Sequence, residues 1–166
     1  MSDVIAITCA RGGSKGVPGK NIRLMNGQPI LGYVIAACKE AGIPHLISTE
    51  DAAIKQIAEY YGARVVDRPE ELAQDETPLL PVLQHALFEV ERWDWHEYPY
   101  VIDLRNSPLI TPEDILGAMD KLVTTGAESV IGVSRLDDHH PARIKKIVDD
   151  RLVDFCVPEL STRRAG

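Results

Sequence analysis

Apolar residues follow two alternating rhythms along the chain: short runs dense in β-branched side chains, and longer segments in which they recur every three or four positions. Val4-Ile5-Ala6-Ile7-Thr8 is of the first kind and predicts a strand buried on both faces. Ile30 to Ala41 is of the second, opened by Pro29 and stopped by Gly42, and predicts a helix. His45 to Thr49 reads as the next strand. Asp51 to Tyr61 reads as a helix with Ile54, Ile57, Ala58 and Tyr61 on one face and Gly62 at its end. Ala63 to Asp67 is a third short strand, and Arg68 to Asp75 is polar and turn-like. A helix then starts near Thr77 and carries Leu80, Leu83, Leu87 and Val90 before a tryptophan-bearing end at Trp93 and Trp95. Tyr98 to Leu104 predicts a fourth strand. Thr111-Pro112-Glu113-Asp114 is a helix start with a hydroxyl cap, proline at the first helical position and two acids in the first turn. Glu128 to Ser134 reads as a fifth strand. Ile144 to Val148 and Leu152 to Val157, joined through Asp149-Asp150-Arg151, read as a hairpin or dimer-forming arm.

Strands alternating with helices at this spacing imply a three-layer α/β sandwich around a mostly parallel twisted sheet. Ligands in such sheets bind beyond the carboxyl ends of the strands. The segments expected there are the loop after the first strand, Ser48 to Asp51, Arg68 to Asp75 and Leu104 to Ile110. A chain of 166 residues suits one substantial core, so residues 1–166 are expected to form a single domain.

Composition narrows the function. The chain is 45% hydrophobic and 26% charged with a net charge of −7, an ordinary globular balance that argues against a nucleic-acid binder. No apolar run approaches membrane-spanning length and no cleavable hydrophobic leader precedes the first strand, so a cytoplasmic location without membrane association is expected. Cys9, Cys38 and Cys156 form neither a disulfide framework nor a thiolate metal site and read as small buried hydrophobes. His139-His140 lacks a third ligand near in sequence and reads as a solvated loop. Charge is unevenly placed, however. All 25 acids lie outside Val4 to Lys39, a window that holds Arg11, Lys15, Lys20, Arg23 and Lys39. Acid-free, cationic and glycine-rich, the loop from Ala10 to Asn21 is chemically suited to polyphosphate.

Neither common nucleotide fingerprint describes that loop. A Walker A motif ending at Gly19-Lys20 would need glycine where Ser14 stands and a hydroxyl residue where Asn21 stands. The dinucleotide pattern fails because Ser14 occupies the position of its second glycine. Ala10-Arg11-Gly12-Gly13-Ser14-Lys15-Gly16-Val17-Pro18-Gly19-Lys20-Asn21 instead resembles the N-terminal signature of the acylneuraminate cytidylyltransferase (CMP-sialic acid synthetase) family. Ser48-Thr49-Glu50-Asp51, Arg68-Pro69-Glu70-Glu71-Leu72-Ala73-Gln74-Asp75 and Ser107-Pro108-Leu109 resemble further motifs of that family.

The resemblance implies a nucleotide-diphospho-sugar transferase-like, Rossmann-like fold. It also implies transfer of CMP from CTP to an acidic keto sugar with release of pyrophosphate. Arg11, Lys15 and Lys20 are then the catalytic cations. Nucleotide binding falls to Ala10, Arg11, Gly12, Gly13, Ser14, Lys15, Lys20, Asn21 and Arg68, and acceptor binding to Arg105, Asn106 and Ser107. Mg2+ is the implied cofactor, with no protein ligand assigned, and CTP, an acidic sugar and a second copy of the chain are the implied partners. The family motif Leu-Gln-Pro-Thr-Ser-Pro-Leu-Arg stands here as Asp103 to Ile110, with Leu104 for Gln and Ile110 for the final Arg, which leaves the acceptor open. Family members also continue beyond the Arg163-Arg164 pair and there supply magnesium-binding aspartates, so either a truncated chain or a naturally shortened relative is expected. The alternatives are a related transferase with another acceptor and a non-catalytic nucleotide-binding or assembly protein. Three residues stay open on their own chemistry: Arg68 as ligand contact or ion pair with Glu70 or Glu71, Asp75 as site residue or helix cap, and Asp103 as functional or paired with Arg105.

Overall fold

The computed structural model describes residues 3–14, 16–133 and 145–154. They fall in two compact units, Met1–Val130 and Ile131–Gly166. In the first unit the elements run β1 (Val4–Cys9), β2 (Leu24–Met25), β3 (Gln28–Pro29), α1 (Ile30–Glu40), β4 (His45–Thr49), α2 (Ala52–Tyr60) and β5 (Arg64–Asp67). A single 3-10 turn at Glu70–Leu72 follows, then α3 (Leu79–Asp94), β6 (Tyr100–Asp103) and α4 (Pro112–Thr125).

Four parallel strands lie in the order β5-β4-β1-β6. β1 therefore has a neighbour on each side, which is why Val4 to Ile7 are all buried and why its sequence is continuous rather than alternating. Its side chains still point to opposite faces. Val4 and Ala6 join Val34, Cys38, Ile115 and Met119, from α1 and α4, in one apolar cluster. Ile5 and Ile7 join Leu46, Val66, Ala86 and Val90, the last two from α3, in another. A third cluster packs Leu31 and Ile35 of α1 against Ile54 and Ala58 of α2 over Ile47. The expected helix–sheet–helix layering thus follows from the two sides of one strand.

Helix ends are set by local chemistry. Asp51 caps α2 by accepting from the amides of Ala53 and Ile54 at 2.8 and 3.0 Å. Thr111 and Asp114 form a reciprocal capping box on α4, with Pro112 in its first turn. Pro29 is the N-cap of α1, which starts at Ile30 as the sequence predicts, and Ala41 is its C-cap. The short β2–β3 ladder between Leu24-Met25 and Gln28-Pro29 was not legible in the sequence.

One expected element is absent. Glu128 to Val133 forms no strand, and Val130, Ile131 and Val133 are exposed; Ser134 lies outside the described residues. An apolar run becomes a strand only by hydrogen-bonding to a neighbour, and no described strand pairs with this one. In the second unit β7 (Lys145–Val148) and β8 (Arg151–Asp154) form the expected antiparallel hairpin, with Ile147 opposite Leu152. Its two-residue turn places Asp149 and Asp150 at positive φ, the twist-compatible hairpin geometry. Ile144 and the 155–157 part of the predicted hairpin lie outside the described residues, as do His139, His140 and Cys156.

Candidate functional site

From β1 the chain runs outward to β4 and β5 and then returns across the sheet to β6. The carboxyl ends of β1 and its neighbours consequently frame a crevice, the expected ligand position in an open parallel sheet. A cleft of about 360 Å³ occupies it. Arg11, Ser14, Lys20, Asn21, Arg68, Arg105 and Asn106 all line this cleft, so the structure brings together candidates from segments nearly 100 residues apart. Lys15 lies outside the described residues.

The loop is built on a buried base. Ala10 is fully buried and its amide donates to the Ser48 carbonyl at 3.0 Å, continuing the β1–β4 pairing past the end of the strand. Its side chain supports the loop from below. Gly12 has no room for a side chain, because a Cβ there would stand 2.9 Å from Cβ and Cγ of Asp51, the cap of α2. Its amide donates to Glu50 Oε1 at 2.7 Å. Gly13, by contrast, is open. The Gly12 carbonyl accepts from the Ser14 amide at 2.9 Å, and a turn at Gly19, with φ +62°, carries the chain to Lys20 and Asn21.

Asn21 is buried and acts as a clamp. Its Nδ2 donates to the Arg11 carbonyl at 2.8 Å, its own carbonyl accepts from the Leu31 amide at 2.9 Å, and its Oδ1 accepts from Asn106 Nδ2 at 2.6 Å. One residue thereby joins the two ends of the glycine-rich loop, the start of α1 and the segment after β6.

Carboxylates meet the cations around the cleft. Arg11 Nη1 is 2.7 Å from Asp75 Oδ1, with about a third of each side chain exposed. Arg68 is buried: its Nε donates to Ser48 Oγ at 3.1 Å, another nitrogen donates to the Ser48 carbonyl, and Nη1 lies 3.8 Å from Glu50 Oε2. The ion-pair alternative for Arg68 is thus realised with Glu50 of the neighbouring β4 exit rather than with Glu70 or Glu71. Burial draws its guanidinium below the usual arginine range. Asp75 does not cap α3, whose N-cap is Pro78 without a side-chain bond. Asp103 resolves as the paired alternative, with Arg105 Nε at 3.2 Å.

Cys9 is half-buried against the Ile5 and Ile7 cluster, in keeping with a small hydrophobe, and it also lines the cleft. Its thiol is pushed up to about 11, burial being the largest cause, which favours the protonated form at neutral pH. Trp93 has the Arg64 guanidinium over its ring at 5.7 Å, while Trp95, the left-handed C-cap of α3, is exposed. Gln74, within the Arg68 to Asp75 segment expected at this edge, and Thr77, two residues beyond that segment and not nominated from the sequence, also line the cleft.

The arrangement offers backbone amides, cations and side-chain amides over an open cleft, with glycine where close approach is needed, which suits an anionic substrate that is positioned and charge-stabilised. Residues 5–150 match the family described as Cytidylyltransferase. The chain belongs to that family. Among curated relatives of this cytidylyltransferase-family chain, N-acylneuraminate cytidylyltransferase A of Danio rerio is 31% identical over 147 residues, covering 87% of this chain and 32% of that protein. CMP-N,N'-diacetyllegionaminic acid synthase of Legionella pneumophila is 33% identical over 134 residues, covering 79% and 57%. A solved structure of CMP:2-keto-3-deoxy-manno-octonic acid synthetase complexed with CTP superposes with a TM-score of 0.61 at 22% identity, covering 76% of this chain and 49% of that one. That likeness shows the Rossmann-like α/β fold. The chain spans 32% and 57% of the length of the two curated relatives.

Proposed function

We propose that this chain carries the nucleotide site of an enzyme that transfers CMP from CTP to an acidic keto sugar of the sialic acid type, releasing pyrophosphate. One observation carries the reading. The two loop groups best suited to phosphate, the Gly12 amide and the Arg11 guanidinium, each hold a carboxylate oxygen at 2.7 Å, so both already bind anions in the place where the family signature puts a triphosphate. In the reaction a sugar hydroxyl oxygen bonds to the α-phosphorus, the bond from that phosphorus to the bridging oxygen breaks, and pyrophosphate leaves as the hydroxyl proton is lost. Arg11, Lys15 and Lys20 stabilise the charge on the phosphoryl oxygens, and Ser14 with the Gly12 and Gly13 amides supplies hydrogen bonds. Asn21 holds the loop in shape. Arg68 props the β4 exit through Ser48 and presents cationic charge beneath the nucleotide. Arg105 and Asn106, which line the cleft, are assigned to the acceptor, with Ser107 next to them in sequence but not among the residues that line it.

Mg2+ would enter with the triphosphate. Among the described residues no group of three His, Cys, Asp or Glu is placed to hold an ion, and the chemistry assigned to this chain uses only its hydrogen bonds and cationic charge. A different acceptor is favoured by Leu104, which is buried in the core where the family motif has Gln. A homodimer is also proposed, formed through the hairpin, whose Ile147 and Leu152 lie opposite each other and exposed. No described helix is long and apolar enough to cross a membrane, which is compatible with the proposed cytoplasmic location. The deciding experiment is pyrophosphate release with magnesium and CTP, ATP, UTP or GTP, each offered with N-acetylneuraminic, legionaminic and 2-keto-3-deoxy-octonic acids. Turnover with CTP alone supports the reading; CTP binding without turnover on any acceptor replaces it with a nucleotide-binding role.

A further inference from the structure

Asn106 is tied down at one end of its amide only. The tie is a chain of two side-chain amides that begins at a backbone carbonyl. The Arg11 carbonyl can only accept, so Asn21 must turn its NH2 group toward it and its Oδ1 away. Asn21 Oδ1 can only accept as well, so Asn106 must turn its own NH2 group toward Asn21, at 2.6 Å. Both amide orientations are therefore dictated by the phosphate loop. What is left is Asn106 Oδ1, which is buried and has no hydrogen-bond partner among the described residues, in a side chain that lines the cleft. A buried acceptor without a donor is an unfavourable state that a ligand can relieve.

We propose that Asn106 determines acceptor specificity: its Oδ1 takes a hydrogen bond from an un-ionised hydroxyl of the acceptor sugar and excludes a carboxylate or phosphate oxygen from that position. The proposal rests on the transferase reading given above. Two features of the fold assign this oxygen to the acceptor rather than to the nucleotide. The loop, Glu50 and Arg68 come from β1, β4 and β5, whereas Asn106 follows β6, on the other side of β1. Leu104 is buried and Arg105, tethered to Asp103 at 3.2 Å, is largely exposed, so this segment supplies one cation and one neutral acceptor side by side. An acidic sugar presents the matching pair, a carboxylate and hydroxyls. Asn106 cannot turn over to offer its NH2 group to the carboxylate without setting its oxygen against Asn21 Oδ1. The amide chain also makes the selection depend on the loop, with Asn21 as a positioning residue.

The test uses the full chain and separates two binding events by calorimetry. The first is CTP alone. The second is N-acetylneuraminic acid or 2-keto-3-deoxy-octonic acid, with monodeoxy analogues of each, added with a non-hydrolysable CTP analogue present. Asn106→Ala is expected to leave CTP affinity within twofold and to weaken the sugar about tenfold. One monodeoxy sugar should bind the wild type as weakly as the parent sugar binds N106A, and N106A should no longer tell the two apart. Asn106→Thr, whose hydroxyl can both donate to Asn21 and accept, should recover part of the loss and guards against misfolding of N106A. Asn21→Ala, which frees the amide to turn over, should lose the same discrimination, and N21A/N106A should lose no more. Equal weakening of CTP and sugar in N106A would reassign the oxygen to the nucleotide and overturn the proposal. So would unchanged sugar affinity, or a wild type that binds CTP but neither sugar. A wild type that fails to bind CTP would sink the underlying transferase reading instead.

Discussion

Gly12→Ala tests whether the phosphate loop and helix α2 share one tightly fitted contact. The added methyl would stand 2.9 Å from both Cβ and Cγ of Asp51, closer than real carbons approach, and the obstacle is a side chain held in place by hydrogen bonds from two backbone amides. Either Asp51 gives way and α2 loses its cap, costing about 1 kcal/mol, or the loop lifts and its amide leaves Glu50. The second route also moves the Gly12 amide off the proposed phosphate position, where a hydrogen bond to a charged group is worth about 1.5–3 kcal/mol, or roughly 10- to 150-fold in affinity. Urea unfolding followed by circular dichroism measures the first effect and CTP calorimetry the second. Gly13→Ala is the control: among the described residues beyond its chain neighbours, no atom lies within 4 Å of the point its methyl would occupy, and stability should stay within about 0.5 kcal/mol of wild type. Asp51→Gly sharpens the test, because it removes the side-chain cap and both obstructing carbons together, so adding Gly12→Ala to it should change stability very little. A Gly12→Ala protein with wild-type stability and wild-type CTP affinity would refute the contact.

Two further perturbations probe other parts of the fold. His45, with Nε2 2.9 Å from Thr8 Oγ1 and Nδ1 unpartnered among the described residues, is drawn down to about 4 by burial. Since its folded value lies below the unfolded value near 6.5, its neutral form stabilises fully above pH 6.5, and about 3 kcal/mol is lost as pH falls from there through 4. Urea midpoints of wild type and His45→Gln should therefore converge or cross on acidification from pH 7 to pH 4, and parallel pH curves would show that His45 does not carry the effect. Asp75→Asn should tighten CTP binding by up to about fivefold, because the partly exposed Arg11–Asp75 pair competes with phosphate and is worth about 0.2–1 kcal/mol; weaker binding in calorimetry would mean that Asp75 instead holds Arg11 in place.

Much of the fold was legible because β1 is flanked by strands on both sides, so its continuous apolar run and the helical periodicities around it each had one structural outcome. Local chemistry was legible too: Asp51, Thr111 and Pro112 act at helix starts through their nearest neighbours in sequence. The misreading at Glu128 to Val133 has the opposite cause, since a strand is completed by a partner that its own residues do not specify. At the site, Arg11, Lys20 and Asn21 could be nominated because glycines and cations cluster within one loop. The contacts from Arg68 to Ser48 and from Asn21 to Asn106 could not, since they span 20 and 85 residues and exist only after the sheet has formed.

The site divides its labour by charge, and the division follows strand order. On the β5–β4–β1 side, Arg11 and Arg68 are matched by Asp75 and Glu50, so the proposed triphosphate would exchange one set of anions for another and keep local charge balance. On the β6 side, the exposed Arg105 is paired with Asp103 beside the neutral Asn106 oxygen, the group proposed to discriminate among acceptor hydroxyls. Affinity for the nucleotide should accordingly fall steeply with salt, while discrimination among acceptors should be nearly insensitive to it, because screening acts on exposed charges and not on a buried amide. The two asparagines that join the halves carry no charge. They can thus transmit the position of the phosphate loop to the acceptor side without perturbing the cations on either side.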